Sequence, residues 1–252
     1  MTEIKATLIA PGDIAEALAL LTRLPVPTNG RRGARAAWAW PLAGLAVALL
    51  AGGVGWAALA LNLPATLAAG LVLAAQIALT GALHEDGLAD SADGLWGGHD
   101  PARRLEIMKD SRIGSYGVLA LGLSLILRWS ALTALLTAGW LFAPLIAVAT
   151  LSRAPMAVLA AALPNARGAG LSSHVGRPGQ NTASLAVALS ALVALLALGW
   201  AILAPLLWIA LASITAAAIA RARIGGQTGD ILGASQQLAE IAALAALAAT
   251  LA

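Results

Sequence analysis

Asp86, Asp90 and Asp93 fall at i, i+4 and i+7 within His84-Glu85-Asp86-Gly87-Leu88-Ala89-Asp90-Ser91-Ala92-Asp93-Gly94. On a helix that spacing puts three carboxylates on one face. Three like charges so close repel one another unless a cation neutralises them, and an all-oxygen donor set favours Mg2+ or Mn2+ over zinc. Mg2+ keeps several waters and is completed by substrate phosphates, so the pattern points to a site that handles a diphosphate. The plain alternative is a solvated loop whose acids balance Arg103, Arg104, Lys109 and Arg112. Charge balance does not demand the helical register, which favours the metal reading.

His84 can serve as proton carrier or as an orienting group, although a histidine at a helix end is also often merely interfacial. Gly94, Gly97 and Gly98 permit a tight turn after the carboxylates. The run from Pro101 to Gly114 reads as a short helix begun by Pro101 and laced with alternating charge. Lys109, Asp110 and Arg112 close it, with the two cations placed to bind a diphosphate facing the metal. A second polar motif, Gly225-Gly226-Gln227-Thr228-Gly229-Asp230, sets glycines before an aspartate at a helix start, which suits a backbone approaching phosphate. The simpler alternative is a turn with Asp230 as a cap. Ser172 and His174 suggest a nucleophile and base, but no orienting acid accompanies them and that reading is set aside.

The elements that must carry these residues are membrane helices. Of 252 residues, 60% are hydrophobic and 11% charged, with mean hydropathy +0.85. A soluble globule carries about 25% charged residues, so that class is excluded. No charge falls within residues 36–83, 113–127, 129–152 or 178–220, and a span needs about 20 apolar residues. The blocks predict seven helices near 36–61, 65–83, 114–137, 138–160, 183–203, 205–221 and 235–252, an all-α polytopic membrane domain covering 1–252. The N-terminal segment 1–35, the acidic loop 84–112, residues 161–182 and the Gly-rich loop 222–234 hold nearly every charge, whereas the turns near Asn62, Gly139 and Ala204 hold none. Two spans separate successive charged segments, so all lie on one side, and their Arg and Lys excess makes it cytoplasmic.

Residues 13–24 read as an amphipathic helix, with Asp13 as its cap, lying on the membrane surface. Trp56, Trp140, Trp200 and Trp208 near the uncharged turns, and Trp38 and Trp40 at the basic entry, predict an aromatic belt at both interfaces. Arg128 lies midway along the third span, where it either snorkels outward beside Trp129 or has a function. Arg153 lies inside the fourth, where an intramembrane cation implies an anionic ligand. There are no cysteines, which excludes disulfides and thiolate chemistry. The net charge is +3 with a pI near 10.2, but the basic residues are dispersed without interleaved aromatics, so nucleic acid is not an expected partner. The N-terminus lacks the apolar stretch of a cleavable signal peptide.

His84 to Gly117, HEDGLADSADGLWGGHDPARRLEIMKDSRIGSYG, strongly resembles the signature region of the cobalamin synthase family, the adenosylcobinamide-GDP ribazoletransferases. Leu21 to Pro27 looks like that family's N-terminal element, and Gly225 to Ala234 like its Gly-Gly-x-Thr-Gly-Asp motif. Trp96 and Glu85 depart from the pattern without removing a carboxylate from the cluster. The resemblance implies Mg2+ as cofactor, the bacterial inner membrane as location, and two small-molecule partners: adenosylcobinamide-GDP and α-ribazole or its 5′-phosphate; the charge distribution puts the active site on the cytoplasmic face. It implies a joining reaction in which the ribazole displaces GMP to give adenosylcobalamin or its 5′-phosphate. The expected metal ligands are Asp86, Asp90, Asp93, Asp110 and Asp230. His84, Lys109 and Arg112 join the first three as catalytic groups, while Arg23, Arg153, Gly226, Thr228 and Asp230 bind substrate. Oligomeric state, with a homo-oligomer as one alternative, is left open.

Three rivals have weaker support. CDP-alcohol phosphotransferases, and beside them membrane prenyltransferases, also use aspartate clusters and Mg2+, but the first would show Asp-Gly-x-x-Ala-Arg and a second, longer-spaced aspartate pair. A secondary transporter would place its ionisable groups at mid-membrane within repeats.

Overall fold

In a computed structural model, residues 7–168 and 170–252 are described. Among them the fold is all-helical, apart from one isolated bridge between Asn165 and Gln227. The helices are α1 (Asp13–Leu21), α2 (Trp40–Ala60, preceded by a 3-10 turn at Gly33–Ala39), α3 (Ala65–Thr80), α4 (Leu83–Gly97), α5 (Pro101–Ile107), α6 (Ser115–Thr137), α7 (Phe142–Leu151), α8 (Ala154–Ala162), α9 (Leu171–Val175), α10 (Gln180–Leu198), α11 (Leu203–Ile224) and α12 (Gly229–Leu251). Five runs among the described residues are long and apolar enough to cross a membrane, or six if the bent pair α3 and α4 is one span. The run Gln180–Ile224 enters that tally once, whereas the sequence reading divides it in two; the structure interrupts it at Gly199, whose φ of +57° ends α10.

The charged connections meet at one end. Arg104 donates to the Arg223 carbonyl, Arg223 to that of Leu95, and the Gln227 and Ala166 amides bond across to Pro164 and Gln227. Small residues let the helices approach. On α2, Gly44 lies against the Ala149 carbonyl, Gly52 against the Phe142 ring and Gly55 against Val72, a stripe that only a missing Cβ permits.

Five expectations need correction. The acidic segment 84–112 is not mainly loop: α4 continues from α3 through an 86° bend at Gly81 and Ala82, both left-handed. The predicted span 138–160 stands as one apolar run, Phe142–Ala162, but its helix is not continuous: it is interrupted at Ser152 and Arg153, because Pro155 has no N–H to continue the ladder from α7. Helix α1 is not capped by Asp13 and does not offer its whole apolar face to lipid. Ala17 and Leu21 pack with Trp38 and Trp40, while fully buried Asp13 accepts bonds from Arg32 Nε and Trp38 Nε1, both at 2.7 Å. Burial alone would raise the Asp13 carboxyl, but Arg32, Trp38 and the Ala10 amide together hold it below its usual range. Trp56, Trp140, Trp200 and Trp208 are exposed as a belt requires, but Trp38 and Trp40 are core residues.

Arg128 is the fifth. It is 1% exposed and does not snorkel. It pairs with Glu85 and Glu240, each at 2.8 Å, and donates to Gln237. Ser124 also donates to Gln237, and Gln236 to Ser152. These groups form a polar layer between two apolar clusters, one holding Leu132, Leu145 and Leu247, the other Leu21, Met156 and Ile231. Through it α4, α6 and α12 are locked in register.

Candidate active site

Helix α4 lies across the first turns of α12. A Cβ on Gly87 would stand 2.8 Å from the Asp230 carbonyl, so the two backbones are in direct contact. Asp86 and Asp90 point from one helix and Asp230 from the other. The charges acting on Asp90 are those of Asp86, Asp230, Arg167 and Asp93. Thr228 is the N-cap of α12, accepting from the Ile231 amide at 3.3 Å, which leaves Asp230 free of the capping duty the sequence allowed it. Asp230 instead pairs with Arg167 at 2.7 Å.

Arg167 comes from the connection after α8, and sequence reasoning missed it. Asn165 accepts from the Arg167 and Gly168 amides, and its Nδ2 donates to Ser172, which donates to Gln227 at 2.7 Å. An Asn followed by Arg and Gly is a turn signal; nothing local says that it faces Asp230. Ser172 therefore orders this loop, its hydroxyl bonded to Asn165 and Gln227.

These residues border a cavity of about 210 Å³ lined by Asp86, Asp230, Arg167 and Ser172 on one side and by apolar side chains from α1, α2, α8 and α12 on the other. His84 also lines it, and neither of its ring nitrogens has a partner.

The other expected residues stand apart. Both Asp93 oxygens are taken by backbone, accepting from the Gly114 amide at 2.7 Å and from Gly117 at 2.9 Å, so Asp93 caps α6 from outside. Any side chain at Gly114 or Gly117 would collide with it. Asp93→Ala is therefore expected to strand two amides at about 1–3 kcal/mol each, and a melting curve in detergent measures that loss. A variant as stable as wild type would contradict the capping role.

Asp110 bonds to Arg112 at 2.7 Å, which holds its carboxyl down at about 2, and with Lys109 it lines a separate surface pocket. Arg23 is exposed, donates its amide to Leu79 and packs over Gly81 at the α3 to α4 bend. Arg153 is buried at the α7 to α8 break, donating to Ala149 with Nε unpartnered. Gly226 is pressed against the Pro164 carbonyl, so protein occupies the space expected for phosphate.

Among the described residues no three acid or imidazole groups are gathered closely enough to hold a metal unaided. The donor chemistry of Asp86 and Asp90 nevertheless fits Mg2+, which commonly takes one or two protein carboxylates and completes its shell with water and substrate phosphates. Arg167 beside Asp230 adds a cation for an anionic substrate.

Fold and site together define a polytopic helical membrane protein with a carboxylate-lined cavity at its charged end. The sequence model of the cobalamin-5-phosphate synthase family matches residues 13–248, and the chain belongs to that family. Relatives named adenosylcobinamide-GDP ribazoletransferase include those of Bradyrhizobium diazoefficiens, 46% identical over 94% of this chain and 93% of the relative, and of Azorhizobium caulinodans, 45% identical over 92% and 93%. A Sinorhizobium relative of the same name is 44% identical over 94% of this chain and 96% of its own. No solved structure matches.

Proposed function

We infer that this chain is an adenosylcobinamide-GDP ribazoletransferase, joining adenosylcobinamide-GDP to α-ribazole or its 5′-phosphate and releasing GMP, a late step of cobalamin synthesis. The observation that carries the reading is the meeting of Asp86, Asp230 and Arg167 at one cavity, with Asp90 in the field of all three, in a chain about 45% identical to relatives of that name.

The ribazole 3′-hydroxyl attacks the phosphorus that bears cobinamide, the bond to the GMP oxygen breaks, and the proton leaves the hydroxyl. Asp86 and Asp90 are the residues that would hold Mg2+, which when bound would supply positive charge to neutralise the diphosphate. Arg167 is placed to take up negative charge on the departing phosphate, and Asp230 fixes the guanidinium. A carboxylate of the cluster, or His84, accepts the proton at the hydroxyl. Lys109 and Arg112 lie outside this cavity, and their part in the reading is to attract anionic substrate to the charged face.

The excess of Arg and Lys in the charged connections supports a cytoplasmic orientation of that end, in the inner membrane, with seven spans when 180–224 is divided at Gly199. The test is GMP release by purified protein given adenosylcobinamide-GDP and α-ribazole. Product that forms with Mg2+ and not after chelation supports the reading, and no product under either condition overturns it.

A further inference from the structure

The cavity beside the carboxylates has a character that the transfer chemistry does not require. Its inner wall is apolar, made by Leu20 and Leu21 of α1, Trp40 of α2, Met156 and Ala160 of α8 and Leu232 of α12. A diphosphate has no use for such a wall. Two buried hydrogen-bonding side chains nonetheless border it without partners: the Trp40 indole N–H, in a residue 3% exposed, and both His84 ring nitrogens, in a residue 2% exposed. A buried donor left unsatisfied costs about 1–3 kcal/mol, so the pair points to a ligand that brings an acceptor into an otherwise apolar space.

We propose that this cavity is the seat of the acceptor's aromatic base, the 5,6-dimethylbenzimidazole of α-ribazole. The proposal rests on the transferase reading above. Attached to ribose, that base is a flat two-ring hydrocarbon surface with two methyl groups and a single free ring nitrogen, an acceptor and not a donor. The apolar wall takes the rings and methyls, and the unpartnered Trp40 indole N–H donates to the nitrogen. The ribose then lies at the mouth, where Asp86 and Asp230 border the cavity and the hydroxyl is needed. The rival occupants fit less well. A corrin ring is far larger than a cavity of about 210 Å³. Guanine presents several N–H donors on one edge that need acceptors, and the inner wall, apolar apart from Trp40 and His84, offers at most one ring nitrogen to them.

The experiment compares Michaelis constants for the two substrates in the full-length protein in detergent. Ala160→Leu fills the cavity and is expected to raise KM for α-ribazole by about tenfold or more while leaving that for adenosylcobinamide-GDP near wild type, the scale on which an added methylene is felt in an apolar pocket. Met156→Ala enlarges it and is expected to favour a ribazole with a bulkier naphthimidazole base by a similar factor relative to the natural acceptor. It decides the question if Ala160→Leu does not fold. Calorimetric titration of wild type with α-ribazole alone is expected to give saturable 1:1 binding. A rise in the donor KM instead places guanine there, and unchanged constants with unchanged base preference remove the site; either result overturns the proposal. A wild type that turns over while the variants behave so leaves the reaction standing, whereas a wild type without turnover overturns the transferase reading itself.

Discussion

Asp86→Asn and Asp90→Asn are each expected to lower turnover by at least about a hundredfold, because Asn keeps the size and hydrogen bonding of the side chain but removes a charged metal ligand. Stability is expected to stay the same or rise. Asp90 lies in the fields of Asp86, Asp230 and Asp93, and removing one of several clustered like charges relieves repulsion when no cation is bound. Activity and melting temperature measured on the same preparations therefore separate a ligand from a structural residue. A fall in both, or wild-type turnover in both variants, would contradict the assignment. Asp93→Ala gives the contrast, since its carboxylate holds the start of α6.

The second large effect belongs to Arg128. Arg128→Leu leaves Glu85 and Glu240 buried at 7% and 4% exposure with no cation beside them that bonds to either. Breaking a buried ion pair from one side costs about 3–5 kcal/mol, enough to unfold many domains. The triple change that also converts Glu85 and Glu240 to Leu is expected to recover much of that loss, since a packed apolar layer replaces an ionic one at little cost. Activity is not expected to return with stability. Glu85 adjoins Asp86 on α4, and the polar layer is what fixes where that helix sits against α12. Denaturation curves for the single and triple variants decide this, and an Arg128→Leu protein as stable as wild type would show that the layer is not structural.

The sequence made the carboxylates of α4 legible because their spacing matches a helix, and it made the membrane helices legible because charge is excluded from them. It told less about what each charge touches. Asp93 shares the face of Asp86 and Asp90, yet its partners are amides of Gly114 and Gly117, more than twenty positions on. That pairing depends on how α4 crosses α6, which periodicity does not encode. Arg128 looked anomalous for the same reason: its two acids come from α4 and α12, 43 and 112 positions away. Glu240 and Gln236 on α12 carry no local sign of their partners, and their role emerges only when three helices are placed together. Arg167 escaped notice because a single arginine in a glycine-rich turn carries no local signal. The α7 to α8 break was within reach, since Pro155 follows Ser152 and Arg153 inside the predicted span.

The central claim is that α4 and α12 build one site, and a double-mutant comparison of Asp90 with Asp230 tests it most directly. GMP release from adenosylcobinamide-GDP is measured for Asp90→Asn, Asp230→Asn and the double variant under saturating substrate and Mg2+. If both carboxylates serve one diphosphate, the first loss disables the site, and the double variant is expected to fall within about threefold of the poorer single one. Losses that multiply would contradict the account, leaving Asp230 as an anchor for Arg167 that acts independently of the α4 cluster.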